Sequence, residues 1–111
     1  KGMKVLVYGL TYKKDVNDVR ESPVVALCNL LNSQGIDFKV YDPLLDDEKI
    51  KELGFKPGPL ELVDLFIVGT DHSQLLNDYP TAVGKKTIVV DGRNFFNRRV
   101  GKAIYGVGRV L

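Results

Sequence analysis

The sequence is poor in the residues and patterns that mark out whole classes of protein. A single cysteine, Cys28, excludes an internal disulfide and supplies neither a metal cluster nor a redox pair. A single histidine, His72, has no second histidine with which to hold a metal. No apolar run approaches the ~20 residues needed to cross a bilayer and no signal-peptide pattern opens the chain, so a cytoplasmic protein without membrane contact is expected. An excess of one charge is lacking too: 16 basic residues against 14 acidic ones leave a formal net charge of +2, no bulk electrostatic case for nucleic acid. Repeats and low-complexity segments are absent. The 111 residues, 44% hydrophobic and 27% charged, suit one ordinary domain spanning residues 1–111. A chain of that length buries roughly two-thirds of its unfolded surface. Met3 stands third rather than first, which suits a piece excised from a longer protein.

What is present is organised around residues 9–23, GLTYKKDVNDVRESP. Behind this stretch lies KVLVY, a short apolar run of β-formers that reads as a buried strand. Ahead of it Val24, Leu27, Cys28 and Leu31 recur at the spacing of one helical face. Ser22 is placed to cap that helix, Pro23 suits its first turn and Gly35 its exit. Strand, glycine, loop, helix opens a nucleotide-binding α/β unit. The loop is nevertheless wrong for a dinucleotide, which needs a tight G-x-G-x-x-G turn so that backbone can approach the pyrophosphate. Here one glycine is followed by an aromatic, two lysines, two aspartates and an arginine. Such a loop binds through side chains or is simply solvated.

Further along, DFKVYDP (37–43) reads as a second strand and LLDDEKIKELGF (44–55) as a short helix with its acids at the positive end. KPGPLELV is expected to be loop plus a turn of helix, and DLFIVGT (64–70) a third strand covered on both faces. DHSQLLNDYP (71–80) reads as helical, capped by Asp71 or Ser73 and ended at Pro80. Strands follow at 87–91 and 103–108. This alternation predicts an α/β, Rossmann-like, doubly wound fold with a mainly parallel sheet of about five strands and helices on both faces. Ligands of such folds lie outside the carboxyl ends of the strands, where strand order reverses. Loops 9–22, 70–73 and 91–94 land on that rim.

Taken singly, the polar residues leave alternatives open. Lys13 and Lys14 lie near a helix N-terminus and read either as anion ligands or as solvated lysines balanced by Asp15 and Asp18. Arg93 can fork onto a carboxylate or phosphate across the rim, or pair with Asp91. Arg20 reads as an ion pair with Asp15 or Asp18 that holds the loop, and Cys28 as core packing. His72 reads as a surface or helix-start residue and Asp42 as a turn residue before Pro43. Tyr12 stacks on a base or merely covers the loop.

The long motif, followed by an apolar helix, a glycine and YDP, resembles the C-terminal domain of the nucleotide-sugar dehydrogenases, NAD-dependent enzymes that oxidise UDP-glucose, UDP-N-acetylmannosamine or GDP-mannose to the uronate. The family pattern there is G-x-x-[YF]-K-x-[DN]-x-x-D-x-R-x-S-P, and T-[DE]-H and DGRN segments also recur, here residues 70–72 and 91–94. The resemblance covers essentially the whole chain. It implies a domain that holds the UDP half of the sugar nucleotide, with Tyr12, Lys13 and Arg93 on the substrate side and Arg20 more structural than contacting. Lys14 and His72 gain nearly nothing from it. The VRESP wording is closer to the N-acetyl amino-sugar branch than to the UDP-glucose branch.

The resemblance also implies what this chain does not carry. The family's glycine-rich NAD loop lies in an N-terminal domain, and its catalytic cysteine lies in a G-x-C-x-P-K segment that Cys28 does not match. Two hydride transfers to NAD through a thioester therefore cannot run on these residues alone. The partners expected are a UDP-sugar and the remaining domains of the parent enzyme. Without the family's central dimerising helix, a monomer or weak association is expected. Two other readings stand beside this one. A phospho-acceptor receiver domain needs an acidic pair after the first strand and an Asp ending the third, where this chain has Gly9-Leu10 and Gly69-Thr70. The other is a free-standing module binding NAD or coenzyme A, and the missing glycine-rich loop counts against NAD.

Overall fold

The computed structural model describes residues 2–91 and the pair 105–106. It begins with β1 (Val5–Tyr8), whose four residues are all buried. A strand covered on both faces has no polar face to show, which is why VLVY reads as one apolar run. β1 pairs in parallel with β2 (Lys39–Tyr41) on one side and β3 (Leu65–Val68) on the other. β4 (Ile88–Asp91) and β5 (Tyr105–Gly106) extend the sheet beyond β3, also in parallel, giving the order β2-β1-β3-β4-β5. Strand order reverses between β1 and β3, so that is where the carboxyl ends diverge and a crevice is expected.

Alternate residues of each strand feed two cores. Val5, Val7, Val40 and Ile67 pack with Val24 and Cys28 of α1 (Pro23–Ser33) and Ile50 of α2 (Asp47–Glu52). Leu6, Tyr8, Phe66, Val68 and Val89 pack on the other face with Leu75 and Ala82 of α3 (Leu75–Ala82). The α/β, doubly wound plan with helices on both faces is therefore what forms.

The α1 expectations hold in detail. Ser22 is extended, accepts from the Val24 N–H at 3.1 Å, and is followed by proline in the first turn. Gly35, at φ +76, takes the left-handed exit. Three local expectations are corrected. Residues 56–63 make no helical turn: Pro57 bridges to Val40 beside β2, and Leu60 and Val63 then cover the second face. Neither Asp71 nor Ser73 caps α3, which starts after Gln74 with no side-chain cap. Pro80 lies inside α3 rather than at its end. Among the described residues, no helix is long and apolar enough to cross a membrane.

Candidate functional site

The carboxyl ends of β1, β2 and β3 meet a closed polar cluster rather than an open crevice. Two glycines permit it. Gly9 has φ +88, and a Cβ there would lie 2.6 Å from the Thr70 backbone nitrogen. Gly69 approaches from the other strand, where a Cβ would lie 2.6 Å from Val24 Cγ1. The two strand ends can therefore touch, and the side chains beyond them interlock.

His72 is the hub. It is buried, which corrects the surface or helix-start reading of it. Its Nδ1 accepts from the Asp15 backbone N–H at 2.8 Å, so that nitrogen carries no proton and the neutral ring bears its hydrogen on Nε2. Nε2 lies 3.0 Å from Asp42 Oδ2 and 3.2 Å from Thr11 Oγ1. The Thr11 hydroxyl donates to the Lys13 carbonyl at 2.9 Å, which leaves its oxygen free to accept from the ring. The Thr70 hydroxyl in turn donates to the Thr11 carbonyl at 2.6 Å.

Asp42 does more than make a turn. It accepts from the Leu44 N–H as a turn residue would, and also from the Leu10 N–H at 2.7 Å and from His72. Burial pushes its carboxyl up, but those three hydrogen bonds outweigh burial and hold it below the usual carboxylate range. In a dinucleotide-binding fold the acid ending this strand faces the ribose. Here it is turned inward and committed, and the first loop N–H is bonded to it. The described residues do not fit NAD.

The rest of the 9–22 loop is held at both ends. Ser22 Oγ donates to the Leu10 carbonyl at 2.7 Å, and the Tyr12 N–H donates to the Asp18 carbonyl at 2.9 Å. Asp15, in the left-handed region at φ +61, accepts from the Ser73 N–H at 2.8 Å and from the Ser73 hydroxyl. The Ser73 bonds, hydroxyl first, keep the Asp15 carboxyl below its usual range. Arg20 forks onto Asp18 at 2.9 and 3.0 Å, the structural ion pair expected of it, and holds that carboxyl down at about 2.

With Asp15 and Asp18 so engaged, neither acid pairs with Lys13 among the described residues. Tyr12, 47% exposed, and Lys13 face outward with Val16, Asp18, Arg20 and Glu21 around a shallow depression of about 520 Å3. Tyr12, Lys13 and Arg20 are thus brought together, whereas Lys14 lies outside that rim. Arg93 and the rest of the DGRN segment after Asp91 lie outside the described residues. A second hollow, of about 250 Å3, lies at the opposite sheet edge between Met3, Phe38 and Glu61, away from the strand ends where ligands of this fold sit. Cys28 is buried on the inner face of α1, and that burial pushes its thiol up to about 12, as core packing requires.

The sequence-based reading missed the cluster of Thr11, Asp42 and His72. The signal was three polar residues just beyond three strand ends, but their meeting depends on the order β2-β1-β3.

Residues 6–98 match the model of the UDP-glucose/GDP-mannose dehydrogenase family, UDP binding domain. The UDP-glucose 6-dehydrogenase TuaD of Bacillus subtilis is 28% identical, the alignment covering 98% of this chain and 27% of that protein. The UDP-N-acetyl-D-mannosamine dehydrogenase of Methanocaldococcus jannaschii is 30% identical over 95% of this chain and 27% of its own length. Among solved structures, a UDP-glucose dehydrogenase from Pyrobaculum islandicum superposes with a TM-score of 0.66 at 31% identity, covering 84% of this chain and 22% of that one. The UDP-N-acetyl-mannosamine dehydrogenase Cap5O of S. aureus gives 0.66 at 29%, covering 97% and 27%. The chain spans about a quarter of the length of the curated relatives it matches.

Proposed function

Since this chain belongs to the UDP-glucose/GDP-mannose dehydrogenase family as its UDP-binding domain, we propose that it holds the nucleotide half of a UDP-sugar on the outer face of the 9–22 loop. The protein it belongs to would be an NAD-dependent dehydrogenase that oxidises the sugar to a uronate. One observation carries the placement. The crevice between β1 and β3 is filled by the Thr11, Asp42 and His72 cluster, so Tyr12 and Lys13 are presented outward on a loop held at both ends. Tyr12 offers a ring face to the base, and Lys13 a charge-assisted hydrogen bond to the diphosphate. Arg93 joins them on the strength of its motif position, with Lys14 and Arg20 secondary.

NAD belongs, on this reading, to a domain other than this one. The committed Asp42 and the glycine-poor loop support that. The chain alone then has no dehydrogenase activity and is monomeric or weakly associating. A UDP-N-acetyl amino sugar is the preferred substrate on the wording of the VRESP segment. The relatives include both sugar classes at similar identity.

The test is calorimetric titration of UDP into the full-length protein. Saturable binding weakened by Lys13→Ala is expected. Unchanged affinity in both Lys13→Ala and Arg93→Ala would remove the site from this loop.

A further inference from the structure

We propose that His72 is a positioning residue for nucleotide binding, holding Thr11 and Asp15 on either side of the Lys13-Lys14 pair. The inference rests on the reading that this loop takes UDP.

Thr11 and Asp15 bracket those lysines, and both are anchored to one imidazole. On the near side Thr11 Oγ1 lies 3.2 Å from His72 Nε2 and donates onward to the Lys13 carbonyl. On the far side the Asp15 N–H donates directly to Nδ1 at 2.8 Å. Asp15 is a residue that such an anchor helps to hold. It is not glycine, yet its φ is +61, a conformation sparsely populated by L side chains, though aspartate tolerates it better than most. Its carboxylate is tied to Ser73, the residue after His72, so the β3–α3 connection grips Asp15 from backbone and side chain alike. Asp42 completes the arrangement from β2. By accepting from Nε2 it fixes the tautomer that leaves Nδ1 open to accept.

Two substitutions separate the two nitrogens of the ring. Asparagine places an oxygen where Nδ1 stands and can still accept from the Asp15 N–H. Glutamine places an amide nitrogen where Nε2 stands and keeps the contacts to Asp42 and Thr11 but loses the bond from the Asp15 N–H. In the full-length protein, His72→Gln is expected to weaken UDP binding about fivefold, the worth of one hydrogen bond in the loop. His72→Asn should stay within about twofold of the unsubstituted protein, because it keeps the direct bond to Asp15 while the Thr11 hydroxyl still donates to the Lys13 carbonyl without the ring. Thermal stability should rank the other way, Gln above Asn, because only Gln keeps the bond to the buried carboxylate. A merely structural histidine would make affinity follow stability, and that order overturns the inference.

Ser73→Ala, at an exposed position, serves if both ring variants fail to fold. It should weaken UDP binding two- to threefold, roughly, through a looser Asp15, and unchanged affinity counts against the inference. Nitrogen-15 NMR gives a readout free of ligand. Nδ1 should resonate as an unprotonated acceptor, and a ring protonated at Nδ1 and bare at Nε2 overturns the assignment. If the unsubstituted protein binds UDP while His72→Gln binds it equally well, this inference alone fails. If the unsubstituted protein does not bind UDP, the functional reading fails and takes this inference with it.

Discussion

The imidazole Nδ1 of His72 and the backbone nitrogen of Asp15 meet at 2.8 Å across 57 residues of chain. This contact ties the connection after β3 to the connection after β1, the two segments that diverge where the strand order reverses. It also turns what would be a crevice into a polar plug, and leaves Tyr12 and Lys13 on the outer face of the loop.

Lys13→Ala in the full-length protein should weaken UDP binding several-fold. A well-formed charge-assisted hydrogen bond contributes about 1.5–3 kcal/mol, and an exposed lysine such as Lys13 belongs at the low end. Lys14→Ala should change affinity less, because Lys14 does not line the depression. Calorimetry on the two variants side by side checks the contrast. Equal losses would show that only the net positive charge of the loop matters.

Asp42→Asn should lower stability and alter its pH dependence. The native carboxyl titrates below its unfolded value of about 3.9, so the ionised form favours folding. Its contribution is complete above that value and is lost as pH falls through the native one. The variant should be less stable near neutrality by about 1–3 kcal/mol, the cost of disrupting a buried hydrogen-bonded acceptor. Its stability should also fall less steeply below pH ~4. Urea melts from pH 3 to pH 7 would measure both. A parallel pair of curves would mean that Asp42 is not the carboxylate that titrates.

Gly9→Ala should be strongly destabilising, by at least about 2 kcal/mol. The added Cβ meets Thr70 backbone rather than a side chain that can swing away, and φ +88 is already unfavourable for alanine. Gly35→Ala, with open space around its Cβ position, isolates the conformational part of the cost. Thermal unfolding of the two variants should give a clearly larger loss for Gly9→Ala, and similar losses would remove the steric contribution.

Cys28→Ala should cost on the order of 1 kcal/mol through lost packing and leave nucleotide binding unchanged. The thiol is buried and pushed up to about 12, so almost none of it is thiolate at neutral pH. A thiol reagent should therefore modify it only as fast as the chain opens, and rapid labelling under native conditions would contradict its burial.

The sequence by itself determined the parts that depend on neighbours along the chain. The unbroken apolar run of β1, the Ser22 cap and Pro23 of α1, the glycine exits and the pairing of Arg20 with Asp18 are local effects, set within a few residues. So is the character of the 9–22 loop, whose single glycine rules out a dinucleotide turn before any fold is known. Residues 56–63 show where local signals mislead. Their breakers suggest a loop with a helical turn, yet the free edge of β2 recruits Pro57 into a bridge. His72 and Asp42 show the larger limit. Nothing within ten residues of either distinguishes a surface histidine and a turn aspartate from a buried pair. Their meeting requires β2 and β3 to flank β1, and Gly9 and Gly69 to bring the strand ends into contact. Strand order is settled by which faces find cover across the whole sheet, so the tertiary structure alone decided that the crevice is plugged and that the loop presents Tyr12 and Lys13 outward.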